Sequence, residues 1–243
     1  MARVIVITGA GSGLGLALAR RFARDGDEVV LLGRTLAKLE GAATAIGVRA
    51  AAIACDVASP DSVRAAFATI AARFPKIDVL INNAAVVEHF DVAEATDEEI
   101  LADVGTNLIG PILCARAAIP LINRGGHILN VSSGAADMAF PGLAVYGASK
   151  AGLERFSLSL RRELEAQNIN ATFVRCGQMI EAGATWDNDP EIARRAAIAA
   201  SHGIDPRKRA SSTFDSVTDV FRTLIDLPAD FAAAGVTVRP RAG

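Results

Sequence analysis

Short runs of β-branched and aliphatic residues alternate along the chain with longer segments whose apolar positions recur every three or four residues. The runs Arg3–Thr8, Glu28–Gly33, Val48–Cys55, Ile77–Asn82, His127–Ser132, Ala171–Cys176 and Val236–Arg239 predict strands. Most are continuous rather than alternating, as expected of strands covered on both faces. The intervening periodicity predicts helices over Gly13–Gly26, Thr35–Ile46, Pro60–Phe74, Asp97–Asn123, Tyr146–Gln167, Pro190–His202 and Phe214–Leu227. Ser59 before Pro60, and Thr96 paired with Glu99, supply helix-start signals. Repeated strand–helix units with short connections imply an α/β fold, a doubly wound parallel sheet of about seven strands in three layers. No linker, composition shift or repeat divides the chain, so one domain over residues 1–243 is expected. The least regular stretch, 178–213, holds Trp186 and the basic triplet Arg207-Lys208-Arg209. Irregular segments beyond strand ends are where such sheets meet ligands, so a variable substrate loop is expected there. The triplet itself reads as a solvated helix end or loop.

Between the first strand and first helix lies Thr8-Gly9-Ala10-Gly11-Ser12-Gly13-Leu14-Gly15. Glycines in that position permit a tight turn and let backbone N–H groups and a helix N-terminus face a pyrophosphate. Neither GxGxxG spacing nor a Gly-Lys-Ser/Thr phosphate loop is present; the pattern is Thr-Gly-x-x-x-Gly-x-Gly. Its context predicts a Rossmann-type dinucleotide site, with Gly9, Ser12, Gly13, Leu14 and Gly15 against the cofactor. At the end of the second strand, where an acid would take the ribose 2′-hydroxyl of NAD, the chain has Gly33-Arg34. An arginine there suits a 2′-phosphate, so NADP(H) is favoured over NAD(H); an ordinary surface arginine is the alternative.

Tyr146 is the only tyrosine, and Lys150 follows four residues later on the same face of a helix. A nearby ammonium favours a phenolate and suits a tyrosine to proton transfer. Ser133, at the end of the fifth strand, offers a hydroxyl to a substrate oxygen, or satisfies local backbone as strand-end serines commonly do.

These elements, with Asp56-Val57 after the third strand, Asn82-Asn83-Ala84 after the fourth and Asn107 in the long helix, resemble the compact short-chain dehydrogenase/reductase family from about Arg3 to Gly177. The resemblance implies hydride transfer between a nicotinamide and a carbonyl or alcohol carbon. It implies Tyr146 as general acid/base and Ser133 orienting the substrate oxygen. Lys150 would bind the nicotinamide ribose and lower the tyrosine pKa, while Asn107 holds a relay water. Asp56 and Val57 would flank the adenine, Asn82 would lie beside its ribose, and Ala84 and Gly177 would complete the cofactor site. Three positions depart from the family pattern: Ala85 for glycine, Cys176 for proline, and Glu181 for a threonine. Met138–Leu143, Val87, His89 and the Trp186 region are expected to line a mostly apolar substrate site. An NADPH-binding regulator without turnover is one alternative. An epimerase or dehydratase with tightly bound cofactor is another.

Composition narrows this little. The 25 basic and 27 acidic residues give a net charge of −2, which offers no case for a nucleic-acid or membrane-surface partner. No uninterrupted apolar run reaches about 18 residues. Cys55, Cys114 and Cys176 lack metal-like spacing, so no metal is expected; as buried thiols they suit a reducing, cytoplasmic setting. Surplus apolar residues on Asp97–Asn123 and Tyr146–Gln167 imply a homodimer or homotetramer, as is common in the family.

Overall fold

The computed structural model describes residues 2–182, 190–201, 203–205, 208–228 and 230–241. Trp186, His202 and Arg207 lie outside the described residues. Seven strands form one parallel sheet: β1 (Val4–Thr8), β2 (Glu28–Gly33), β3 (Ala50–Ala54), β4 (Ile77–Asn82), β5 (Ile122–Ser133), β6 (Asn170–Cys176) and β9 (Gly235–Val238), in the order β3-β2-β1-β4-β5-β6-β9. A separate two-stranded parallel pair joins β7 (Met179–Ile180) to β8 (Ser212–Thr213). Strand β1 is flanked by β2 and β4, so the chain reverses its direction of travel across the sheet there, and a crevice opens beyond the strand C-termini.

Alternation within the strands divides the core in two. Val6, Val30, Leu32, Leu80 and Ile128 face helices α3 (Pro60–Arg73), α5 (Gly110–Ala118) and α6 (Ala144–Leu164). Ile5, Ile7, Leu31, Ile81 and Leu129 face α1 (Gly13–Arg24) and α8 (Phe214–Ile225), where Phe22 and Phe221 are fully buried. Helix α2 (Leu36–Ile46) packs beside β2 and β3, α4 (Asp97–Val104) precedes α5, and α7 (Pro190–Ser201) lies between β7 and β8 in sequence. Ser59 caps α3 by accepting from the Ser62 amide, and Thr96 with Glu99 closes a reciprocal capping box on α4.

The largest differences from the sequence expectation are at three places. The helix expected over Asp97–Asn123 is broken: Gly105–Ile109 forms a π-helical turn between α4 and α5, and a 3₁₀ turn spans Ile119–Leu121. This run has the length and mean hydropathy, 1.4, to cross a membrane, yet Asp103 and Asn107 are both fully buried on its inner side. Strand β5 begins at Ile122, not His127, because Ile122 pairs with Ile77 before a register shift. Strand β3 begins at Ala50, and Val48 is left exposed before it.

Candidate active site

A cleft of about 580 Å³ opens at the C-terminal ends of β1, β2, β4, β5 and β6. Its floor is the loop after β1. Gly9 has φ +66°, and a side chain there would lie 2.8 Å from Ala84 Cα. A Cβ on Gly15 would stand 2.4 Å from the Gly9 carbonyl oxygen, so only glycine fits the turn between strand and helix. The turn is stitched to the loop after β4. Thr8 Oγ1 accepts from the amides of Asn83 and Ala84, both at 3.0 Å, and Asn83 Nδ2 donates to the Thr8 carbonyl at 3.0 Å. Ser12 precedes α1 without capping it, and no acidic residue occupies the first turn. That leaves a helix N-terminus facing the cleft with nothing anionic on it, which fits a diphosphate.

At the end of β2 the cleft is lined by Gly33, Arg34, Thr35 and Lys38. Neither cation is paired with a carboxylate among the described residues, and Asp56, beyond β3, is the only acid in the lining. Lys38 was not singled out from the sequence, although it stands four residues past Arg34, in the first turn of α2. Asp56 Oδ1 accepts from the Ala58 amide at 3.0 Å, and Val57 lines the wall beside it.

The other end of the cleft holds Ser133, Tyr146 and Lys150. Tyr146 and Lys150 share one face of α6, as their spacing predicts, and Ser133 ends β5 opposite them. The Lys150 ammonium stands 5.8 Å from the Tyr146 ring centroid and donates to the Val131 carbonyl at 2.9 Å. Burial pushes the Tyr146 phenol up to about 12, opposed by its hydrogen bond with Ser133. Burial likewise pulls Lys150 down to about 8, opposed by the charge of Asp103. Without a cationic cofactor, then, burial outweighs the expected help from the lysine, and Tyr146 holds its proton at neutral pH.

The remaining predicted residues divide. Gly9, Ser12, Leu14, Arg34, Asp56, Val57, Ala84 and Gly177 line the cleft. Gly13 and Gly15 shape the loop from behind: Gly13, at φ +53°, leaves its Cβ position 3.5 Å from the Phe214 ring. Asn82 departs from expectation. It is 2% exposed, and its Nδ2 donates to Asn130 Oδ1 at 2.8 Å inside the fold; its neighbour Asn83 faces the cleft instead. Adjacent residues at a strand end point to opposite sides, so Asn83 and not Asn82 presents its side chain to the cleft. Asn107 lies beneath the site. Its Oδ1 accepts from the Val86 amide at 3.0 Å, and its Nδ2 donates to the Val86 carbonyl and Asp103 Oδ1, each at 2.9 Å. The side chain is thereby committed to holding the loop after β4.

Of the departures noted in the sequence, Ala85 and Cys176 line the cleft, while Glu181 is exposed and outside its lining. The Cys176 thiol is buried and pushed up to about 12 by desolvation, so it is no nucleophile at neutral pH. Of the expected substrate walls, Val87 lines the cleft. The Arg209 guanidinium covers the Phe140 ring at 4.6 Å, bringing the segment before β8 against the loop before α6.

A glycine-bearing strand-to-helix turn, a basic β2 end and a tyrosine–lysine pair in one crevice define a dinucleotide-dependent oxidoreductase fold. The short chain dehydrogenase model matches residues 3–191, and the chain belongs to that family. Serine 3-dehydrogenase of Agrobacterium fabrum is 36% identical over 179 residues, covering 73% of this chain and 72% of that protein. A closed serine dehydrogenase solved with NADP+ superposes with TM-score 0.84 at 26% identity, covering 97% of this chain and 94% of that one. The 3-ketoacyl-(acyl-carrier-protein) reductase of Brucella melitensis, solved with NADH, gives TM-score 0.83 at 28% identity over 98% and 96% of the two chains. The protein is an NAD(P)-dependent short-chain dehydrogenase/reductase acting on alcohol and carbonyl groups.

Proposed function

We propose that the chain is an NADP(H)-preferring reductase of small or medium, mainly apolar ketones and aldehydes, or of the corresponding alcohols in reverse. The observation that carries this reading is the single cleft with Arg34 and Lys38 at one end and Ser133, Tyr146 and Lys150 at the other. One domain would carry both ends, and Met179, near the start of the expected 178–213 loop, lines the cleft. The buried, unpaired thiols support a reducing, cytoplasmic setting.

When bound, the nicotinamide supplies or accepts the hydride. The chain's own part is proton handling and orientation. Ser133 and Tyr146 converge on one side of the cleft, where both hydroxyls can hydrogen-bond a carbonyl oxygen. Tyr146, protonated at neutral pH, releases its proton to that oxygen as negative charge develops. Lys150, anchored on Val131, keeps a positive charge beside the phenol and eases that release. Arg34 and Lys38 hold a 2′-phosphate as charge-assisted donors.

Nicotinamide absorbance tests the reading across a panel of ketones and aldehydes. The reductase consumes NADPH stoichiometrically with alcohol formation. Altered substrate with unchanged cofactor would identify an isomerase instead, and binding with no chemistry across the panel would identify a sensor.

Exposed Leu101, Ile109 and Leu158, on α4, the π turn and α6, support a two-fold homodimer, or a homotetramer, built on these helices. Light scattering should give a mass that is a multiple of 25.2 kDa; a species of 25.2 kDa alone at micromolar concentration rejects the assembly.

A further inference from the structure

The apolar run of α4 and α5 contains one residue that packing alone does not explain. Asp103, in the last turn of α4, is fully buried. Its Oδ1 accepts from Asn107 Nδ2 at 2.9 Å and from Ser149 Oγ at 3.0 Å. Its Oδ2 is equally buried and has no hydrogen-bond partner among the described residues. A carboxyl so placed costs the fold relative to an aliphatic side chain of the same size.

Its surroundings indicate what offsets that cost. Ser149 immediately precedes Lys150, and its hydroxyl also approaches the Tyr146 carbonyl at 2.8 Å. Asn107 links the carboxyl to the Val86 backbone and so to the cleft wall. Asp103 itself is absent from the cleft lining, so it lies behind the Tyr146–Lys150 pair on the protein side. The titratable groups around this centre are Glu88 from the loop after β4, Tyr146 and Lys150 from α6, and Cys176 from β6. Burial pushes the Asp103 carboxyl up and Glu88 adds to that, while the hydrogen bonds from Asn107 and Ser149 and the charge of Lys150 hold it down; the Cys176 thiol stays neutral over the working range.

We propose that Asp103 is a positioning residue whose buried negative charge holds the protons on Lys150 and Tyr146, and so sets the pH range over which the pair works. The charge acts on both groups in one direction: it raises the lysine and the phenol together. Removing it therefore moves both titrations to lower pH. A purely structural carboxyl would change stability or overall rate and leave both titrations where they were.

The inference rests on the proton-transfer role assigned to Tyr146, but its test does not need turnover. The chain has only four lysines, Lys38, Lys76, Lys150 and Lys208. Their side-chain Cε resonances in ¹³C-lysine-labelled protein can be followed from about pH 4 to about pH 10, with Lys150→Arg giving the assignment. Lys150 should titrate near 8 in the wild type. In Asp103→Asn, which keeps the size and an oxygen for Ser149 and Asn107, its midpoint should fall by about one pH unit. A folded Asp103→Asn protein with an unmoved Lys150 midpoint overturns the proposal. Should that variant fail to fold, Glu88→Gln decides the question. With Glu88 neutral, the Lys150 resonance must still show a second, smaller inflection at acid pH as Asp103 gains its proton, and a single inflection overturns the proposal. Failure of the Tyr146 role is read separately, from turnover in Tyr146→Phe.

Discussion

Tyr146→Phe should lower kcat about 10²–10⁴-fold, the range of a lost general acid, while NADPH affinity stays within about twofold. Phenylalanine preserves the ring that packs beside Lys150, and the tyrosine is 8% exposed, so the fold has little to lose. What disappears is the hydroxyl that, in the proposed mechanism, delivers a proton to the oxygen that Ser133 would hold. Hydride positioning by the rest of the cleft survives, so a residual rate above background is expected. Single-turnover NADPH oxidation with a saturating carbonyl substrate isolates the chemical step. A rate above roughly a tenth of wild type would remove Tyr146 from the mechanism. The wild-type profile should also carry a sign. Burial keeps the phenol protonated up to about 12, so reduction does not lose its proton donor first. The fall on the alkaline side should track loss of the Lys150 charge near 8.

Arg34→Ala should cut the NADPH/NADH ratio of kcat/KM roughly 10- to 150-fold, mostly through KM for NADPH. A hydrogen bond to a charged group is worth about 1.5–3 kcal/mol, and each 1.4 kcal/mol is about tenfold. Lys38, exposed on the same rim, supplies a second positive charge, so the single variant should fall towards the lower end and Arg34→Ala/Lys38→Ala towards the upper. NADH use should barely change. Replacing Gly33 by Asp adds an acceptor for a ribose hydroxyl and repels a phosphate, but its Cβ would sit 3.3 Å from Leu39 Cδ2, so that flexible side chain must give by a few tenths of an ångström. All variants need one ionic strength, because exposed phosphate contacts are screened by salt. An unchanged ratio in the Arg34→Ala/Lys38→Ala protein would leave the β2 end with no part in cofactor choice.

Most of the sheet is legible in the residues because each buried strand is a nearly unbroken aliphatic run between turn signals; β2 and β4 occupy the predicted Glu28–Gly33 and Ile77–Asn82. The glycine loop was readable because its position between strand and helix restricts what the glycines can be for. The π turn at Gly105–Ile109 was not. One extra residue per turn alters apolar periodicity too little to register, and the burial of Asp103 and Asn107 beside it shows only in the folded chain. Strand β5 begins at Ile122 and passes through Asn123, Arg124, Gly125 and Gly126, whose polar, flexible character reads as a turn; the pairing of Ile122 with Ile77 carries the strand back past them. Asn82 and Asn83 present the same chemistry in sequence, and only the backbone decides which faces the cleft. Asp103 carried no motif at all; its significance depends on Ser149, which is distant in sequence.

The pair formed by β7 and β8 has a consequence for how this protein can change. Met179 pairs with Ser212 and Ile180 with Thr213, so the chain leaves the cofactor crevice and returns to it through one doorway. Both jambs are fixed: Gln178 Nε2 donates to Ser211 Oγ at 2.8 Å, and Phe214, next along, begins α8 and lines the crevice itself. Anchoring the two ends side by side limits what a change of length between them costs, since each doubling of a flexible loop costs only about 0.6 kcal/mol in closure entropy. Sequence change between these two anchors is therefore separated from Gly9–Gly15, Tyr146 and Lys150 by the β7–β8 pair, so the length of the chain there and the residues of the crevice can drift independently.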